Sequence, residues 1–90
     1  ADLFGARILD AGCGAGQLAI EAARRGADVV AVDVAGTLVN LARERAANET
    51  FAGSIDFRTG DMLDPALGAF DYVVAMDSLI HYDAADIVRV

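Results

Sequence analysis

A chain of 90 residues, 56% of them hydrophobic, can supply the core of one small domain. Its net charge of −7, with seven scattered arginines as its whole basic complement, argues against a nucleic-acid phosphate footprint. A single cysteine, Cys13, excludes an intrachain disulfide and a cysteine-built zinc site, and suits a reduced cytoplasmic compartment.

No run approaches the roughly 18 apolar residues that span a bilayer. The chain starts at Ala1 and stops at Val90 in a helix-like run, so residues 1–90 read as one partial domain whose C-terminal strands lie further on. Asn48-Glu49-Thr50 matches the glycosylation triplet and is read as a chance match.

Residues 7–10 are short and apolar, as a buried parallel strand should be. Gly12, Gly14 and Gly16 follow at alternate positions, a backbone open to positive φ and to close approach by a ligand. Residues 17–25 read as a helix with Leu18, Ala22 and Arg25 on one face, widened by Ile20 and Ala23, and stopped by Gly26. Residues 28–33 form a second strand, buried on both faces. Gly36-Thr37 opens a second helix, with Thr37 as its N-cap and Leu38, Leu41, Ala42, Arg45 and Ala46 tracing its face. Residues 54–58 alternate around Ile55 and Phe57 as a third, edge strand.

Residues 59–69 carry the turn signals Asp64-Pro65 and Gly68. Residues 70–76 are a fourth strand, 77–82 a loop above it, and 83–90 the start of a helix. Strand and helix alternate, which predicts an α/β fold with a parallel sheet and helices on its two faces. Ligands of such sheets bind beyond the carboxyl ends of the strands.

Four carboxylates fall at that end. Asp10 ends the first strand, Asp33 the second and Asp77 the fourth, and Asp61 follows the third after Thr59-Gly60. One aspartate in a loop is ordinary; four in step with four strands predict a shared site. Asp33, about 20 residues past a glycine loop, suits the two hydroxyls of a ribose. Dinucleotide sites need Gly-x-Gly-x-x-Gly around a pyrophosphate. Here the spacing is Gly-x-Gly-x-Gly, position 17 is glutamine, and Asp10 would repel a phosphate. S-adenosylmethionine carries an ammonium and a sulfonium and no phosphate, so an acidic loop fits it.

Asp-Ala-Gly-Cys-Gly-Ala-Gly at 10–16 resembles the first motif of class I S-adenosylmethionine-dependent methyltransferases. Ala-Val-Asp at 31–33, Gly-Asp-Met at 60–62 and Phe-Asp-Tyr-Val-Val at 70–74 resemble their later motifs. The resemblance implies a Rossmann-like parallel sheet of strand order 3-2-1-4. It implies that Gly12 and Gly14 face the methionine part, Asp33 the ribose and Asp61 the adenine amino group, with Met62 on the adenine ring. Asp10, Cys13, Gly16, Val34 and Asp77 complete the cofactor set.

Residues 74–82, Val-Ala-Met-Asp-Ser-Leu-Ile-His-Tyr, are similar to the magnesium-protoporphyrin O-methyltransferase group of the chlorophyll and bacteriochlorophyll pathway. That likeness implies esterification of a porphyrin propionate and a porphyrin substrate. It also leaves open a peripheral association with a membrane or with magnesium chelatase. A propionate with a pKa of about 4 is already ionised at neutral pH and needs no general base. His81 then either orients the propionate, approaches the chelated magnesium, or caps loop backbone; Tyr82 either lies on a flat ring or packs on the next helix. Cys13 reads as a small residue tolerated in the turn, since methyl transfer asks for no nucleophilic thiol, and no metal-ligand set is expected.

Two other readings stand beside this one. A quinone ring hydroxyl as acceptor would need a base or metal, because a phenol has a pKa near 10. A module that binds S-adenosylmethionine without catalysis would carry the same loop. A nicotinamide-dependent oxidoreductase is disfavoured by the glycine spacing.

Overall fold

The computed structural model describes residues 3–60, 68–75 and 78–81, the last four as backbone. Strand β1 (Arg7–Ala11), helix α1 (Gln17–Arg24), β2 (Asp28–Asp33), α2 (Gly36–Ala46), β3 (Ser54–Thr59), β4 (Tyr72–Ala75) and β5 (Ser78–His81) follow in chain order. They build a sheet of order β3-β2-β1-β4-β5. The first four strands are parallel, in the expected 3-2-1-4 order.

β1 is central, paired on one side from Arg7↔Asp28 to Ala11↔Val32 and on the other from Ile8↔Tyr72 to Ala11↔Ala75. Burial on both faces suits its unbroken apolar run. Ile8, Val29, Ala31 and Val74 pack with Ala19, Ala22, Ala23 and Val39 of the helices. Leu9, Ala11, Val30 and Val32 form the opposite face with Phe70. Both described helices therefore lie on one face. The reason is topological: β1, β2 and β3 step outward in one direction, and right-handed crossovers in one direction stay on one side. The expected helix from residue 83 lies outside the described residues.

The fourth-strand region brings a second correction. Residues 78–81, expected as loop, form β5, antiparallel to β4 with Ala75 opposite Ser78 and Tyr72 opposite His81. The apolar pair Leu79-Ile80 suits a strand, and pairing satisfies the backbone groups on the outer edge of β4.

The helix faces agree with the expected ones at Ile20, Ala22, Ala23 and Ala42 and depart from them at the leucines. In α1 the buried residues are Ala19, Ile20, Ala22 and Ala23, while Leu18 is 46% exposed. In α2 they are Val39 and Ala42, with Leu38 and Leu41 exposed. The stripe that each helix buries is mostly alanine, with Ile20 and Val39, while the leucines stay exposed. α1 ends where Gly26, at φ 99, closes a C-terminal motif in which the Ala27 and Gly26 amides donate to the Ala22 and Ala23 carbonyls. Beside it Arg24 forks onto Glu49 at 2.6 and 2.8 Å. Thr37, expected as the N-cap of α2, sits inside the helix; Ala35 occupies the cap position and has no side-chain cap bond.

Candidate cofactor site

The loop between β1 and α1 is a chain of backbone bonds. The Gly12 and Cys13 amides both donate to the Val32 carbonyl, at 2.7 and 3.0 Å, which ties the turn to the end of β2. Gly12, Gly14 and Gly16 take φ values of 87, 54 and 83, all in the left-handed region. Gly16 is the N-cap of α1 and offers no side chain, so the first-turn amides of the helix are left to a ligand or solvent.

Asp33 organises the other wall. Its Oδ2 accepts from the Gly14 amide and its Oδ1 from the Ala35 amide, each at 2.9 Å. These two bonds hold the carboxyl below its ordinary range. Each carboxylate oxygen retains a lone pair, so Asp33 can still accept from a ligand hydroxyl. Val34, next in the chain, is 70% exposed.

Asp10, four per cent exposed, lies in β1 opposite Ala31 and Val74. With Gly12, Cys13, Ala15 and Gln17 it lines a cavity of about 340 Å³, and among the described residues no lining side chain is basic. That volume is at the lower end for small-molecule pockets. Burial, Asp10 and Asp33 together push the Cys13 thiol up to about 11, so it is neutral at physiological pH and no nucleophile.

This donor set fits S-adenosylmethionine. The buried carboxyl of Asp10 lines the cavity, the Asp33 carboxylate lies beside the same loop, and the glycines leave the main chain bare. A positively charged ligand is favoured there; a pyrophosphate is not.

The structure thus brings together Asp10, Gly12, Cys13, Gly14, Gly16, Asp33 and Val34 around the first two strand ends. Asp61, Met62, Asp77 and Tyr82 lie outside the described residues. His81 is not brought to the loop. The hairpin register sets it level with Tyr72 and Ile8, at the amino end of β4 and β1, because β5 runs back down the sheet. Sequence reasoning missed Ala15, Gln17, Leu18 and Val74 as cavity walls. For Gln17 the available signal was its place as first residue of a helix entered from a glycine turn.

A family model described as a methyltransferase domain matches residues 8–90. The chain belongs to the class I S-adenosylmethionine-dependent methyltransferases, a family that uses S-adenosylmethionine as methyl donor. A magnesium-protoporphyrin O-methyltransferase of Rhodobacter capsulatus is 60% identical over 89 residues, 99% of this chain and 39% of that protein. A ubiquinone biosynthesis O-methyltransferase of Methylocella silvestris is 48% identical over 97% of this chain and 34% of its own length. Among solved structures, magnesium protoporphyrin IX methyltransferase from Synechocystis PCC 6803 with bound S-adenosylhomocysteine superposes with a TM-score of 0.68 at 32% identity. That match covers 79% of this chain and 32% of that one. The chain thus spans about two-fifths or less of the length of these relatives.

Proposed function

We propose that this chain is the cofactor-binding part of an S-adenosylmethionine-dependent O-methyltransferase that esterifies a propionate of magnesium-protoporphyrin IX. The observation that carries the acceptor is the 60% identity to the Rhodobacter capsulatus enzyme over almost the whole chain, against 48% to the ubiquinone enzyme. The cofactor supplies a methyl group on a sulfonium. A propionate oxygen gains that methyl as the carbon–sulfur bond breaks, and an ester and S-adenosylhomocysteine are left.

In this reading Asp10 and the Gly12–Gly14 backbone hold the methionine end, Asp33 the ribose and Val34 the face of the base. Asp61 and Met62 are assigned to the adenine and Asp77 to the cofactor on sequence likeness alone. The chain's part in the chemistry is to bind, orient and exclude water. No proton has to be removed from an ionised propionate, so His81 carries no general-base role.

The test incubates the full-length protein with S-adenosylmethionine and magnesium-protoporphyrin IX and follows the added methyl by mass spectrometry. Formation of the monomethyl ester is expected; its absence, with S-adenosylmethionine binding intact, removes this acceptor. The ubiquinone relative supports a second acceptor, a ring hydroxyl, and a demethylated quinone precursor in the same assay separates the two.

A further inference from the structure

Three consecutive residues of the glycine loop are each held by the β2–α2 unit. Gly14 donates its amide to the Asp33 carboxylate at 2.9 Å. The Ala15 carbonyl accepts from the Arg45 guanidinium at 3.4 Å. Gly16 lies against Ala42: a Cβ built on Gly16 would meet the Ala42 Cβ at 2.8 Å and the Phe57 ring at 3.4 Å. Ala42 and Arg45 are three apart on α2, hence on one face of it. Ala42 is fully buried.

We propose that Ala42 is a positioning residue for the cofactor, acting through Gly16. The inference rests on the reading of this loop as the S-adenosylmethionine site. The third glycine of the motif is then a packing glycine: its missing side chain faces α2 and the Phe57 ring. By contrast, a Cβ on Gly14 would meet nothing within 4 Å. The surface of α2 at Ala42 sets how far the loop and the amino end of α1 can settle toward the sheet. A larger residue there displaces Gly16, and with it the backbone between Gly12 and Gln17 that lines the cavity. Displacement by about 1 Å is enough to cost an oriented site heavily.

The test measures S-adenosylmethionine affinity by calorimetry and thermal unfolding for the full-length protein, Ala42→Val, Ala42→Val with Phe57→Leu, and Val29→Ala. Val29 is buried on the same face but belongs to the strand interior, so Val29→Ala reports what general loss of packing does to binding. Ala42→Val is expected to weaken binding about tenfold or more beyond Val29→Ala at a comparable loss of melting temperature. Phe57→Leu, which frees space beside residue 42, is expected to restore most of it. Equal affinity in Ala42→Val and Val29→Ala, or no restoration by Phe57→Leu, overturns the proposal. If Ala42→Val does not fold, Ala42→Ser is compared with Val29→Ala by the same criterion. Failure of the unaltered protein to bind S-adenosylmethionine refutes the underlying cofactor assignment instead, and is thereby distinguished.

Discussion

At the scale of single residues, the glycine loop divides its three glycines between two tasks. Gly14 is in open space at φ 54, so an added methyl costs only backbone strain, about 1–2 kcal/mol. In the proposed cofactor reading it would stand where the methionine end approaches the main chain. Gly14→Ala is therefore expected to leave a folded protein with a modestly lowered melting temperature and a much larger loss of S-adenosylmethionine affinity. Calorimetry beside thermal unfolding checks this; parallel losses in both would contradict it. Asp33 joins stability to the site. Its carboxyl is held low by the Ala35 and Gly14 amides, so it stabilises the fold fully above the unfolded aspartate value of about 4. That contribution is lost as pH falls through the lower folded value. Urea unfolding of the full-length protein from pH 3 to 7 should show the stability gap to Asp33→Asn constant above about pH 5 and closing in acid. A gap independent of pH would show that the charge is not what the two amides require.

At the scale of elements, β5 has the largest consequence. A histidine after the fourth strand invites a catalytic reading while residues 77–82 are taken as a loop. Once residues 78–81 pair with β4, His81 stands opposite Tyr72, three strand positions below the Ala75–Ser78 pair. At about 3.3 Å per residue that is roughly 10 Å of backbone from the upper end of the strand. His81→Ala in the full-length enzyme is expected to leave turnover and cofactor affinity within about twofold. A fall in turnover would return His81 to the role of orienting the acceptor. The helices carry a related lesson. Leu38 and Leu41 satisfy a helical period as well as Val39 and Ala42 do, but α2 turns the second pair inward, with Ala42 against Gly16 of the glycine loop.

At the scale of the molecule, the sheet of the described residues runs from β3 on one side to β5 on the other. β3 alternates exposed and half-buried residues and carries the Asp56–Arg58 ion pair at 2.7 Å, charges that discourage pairing with another chain. Phe4 and Val34 are each 70% exposed, and Leu18, Leu38 and Leu41 more than two-fifths exposed. The isolated polypeptide 1–90 is therefore expected to associate in size-exclusion chromatography. Added salt should increase this by screening its net charge of −7. A monomer that unfolds cooperatively would contradict the expectation, which rests on exposed apolar surface.

Local pattern by itself determined the alternation of strand and helix, and its motifs carried the resemblance that implied the family and the parallel order 3-2-1-4. Each depends on features that a short stretch carries: an apolar run, a glycine spacing, an acid at a strand end. The stop of α1 at Gly26 belongs here too, because a left-handed C-terminal residue is a local demand met by glycine. Only the tertiary structure decided which stripe of each helix is buried, that α1 and α2 share one face, and that β5 carries His81 away from the loop. It also decided that Gly16 faces Ala42 and that the Asp33 carboxylate accepts from the Gly14 amide. These outcomes depend on distances between segments far apart in the chain, where close packing and the need to pair every buried backbone group override what any one stretch prefers.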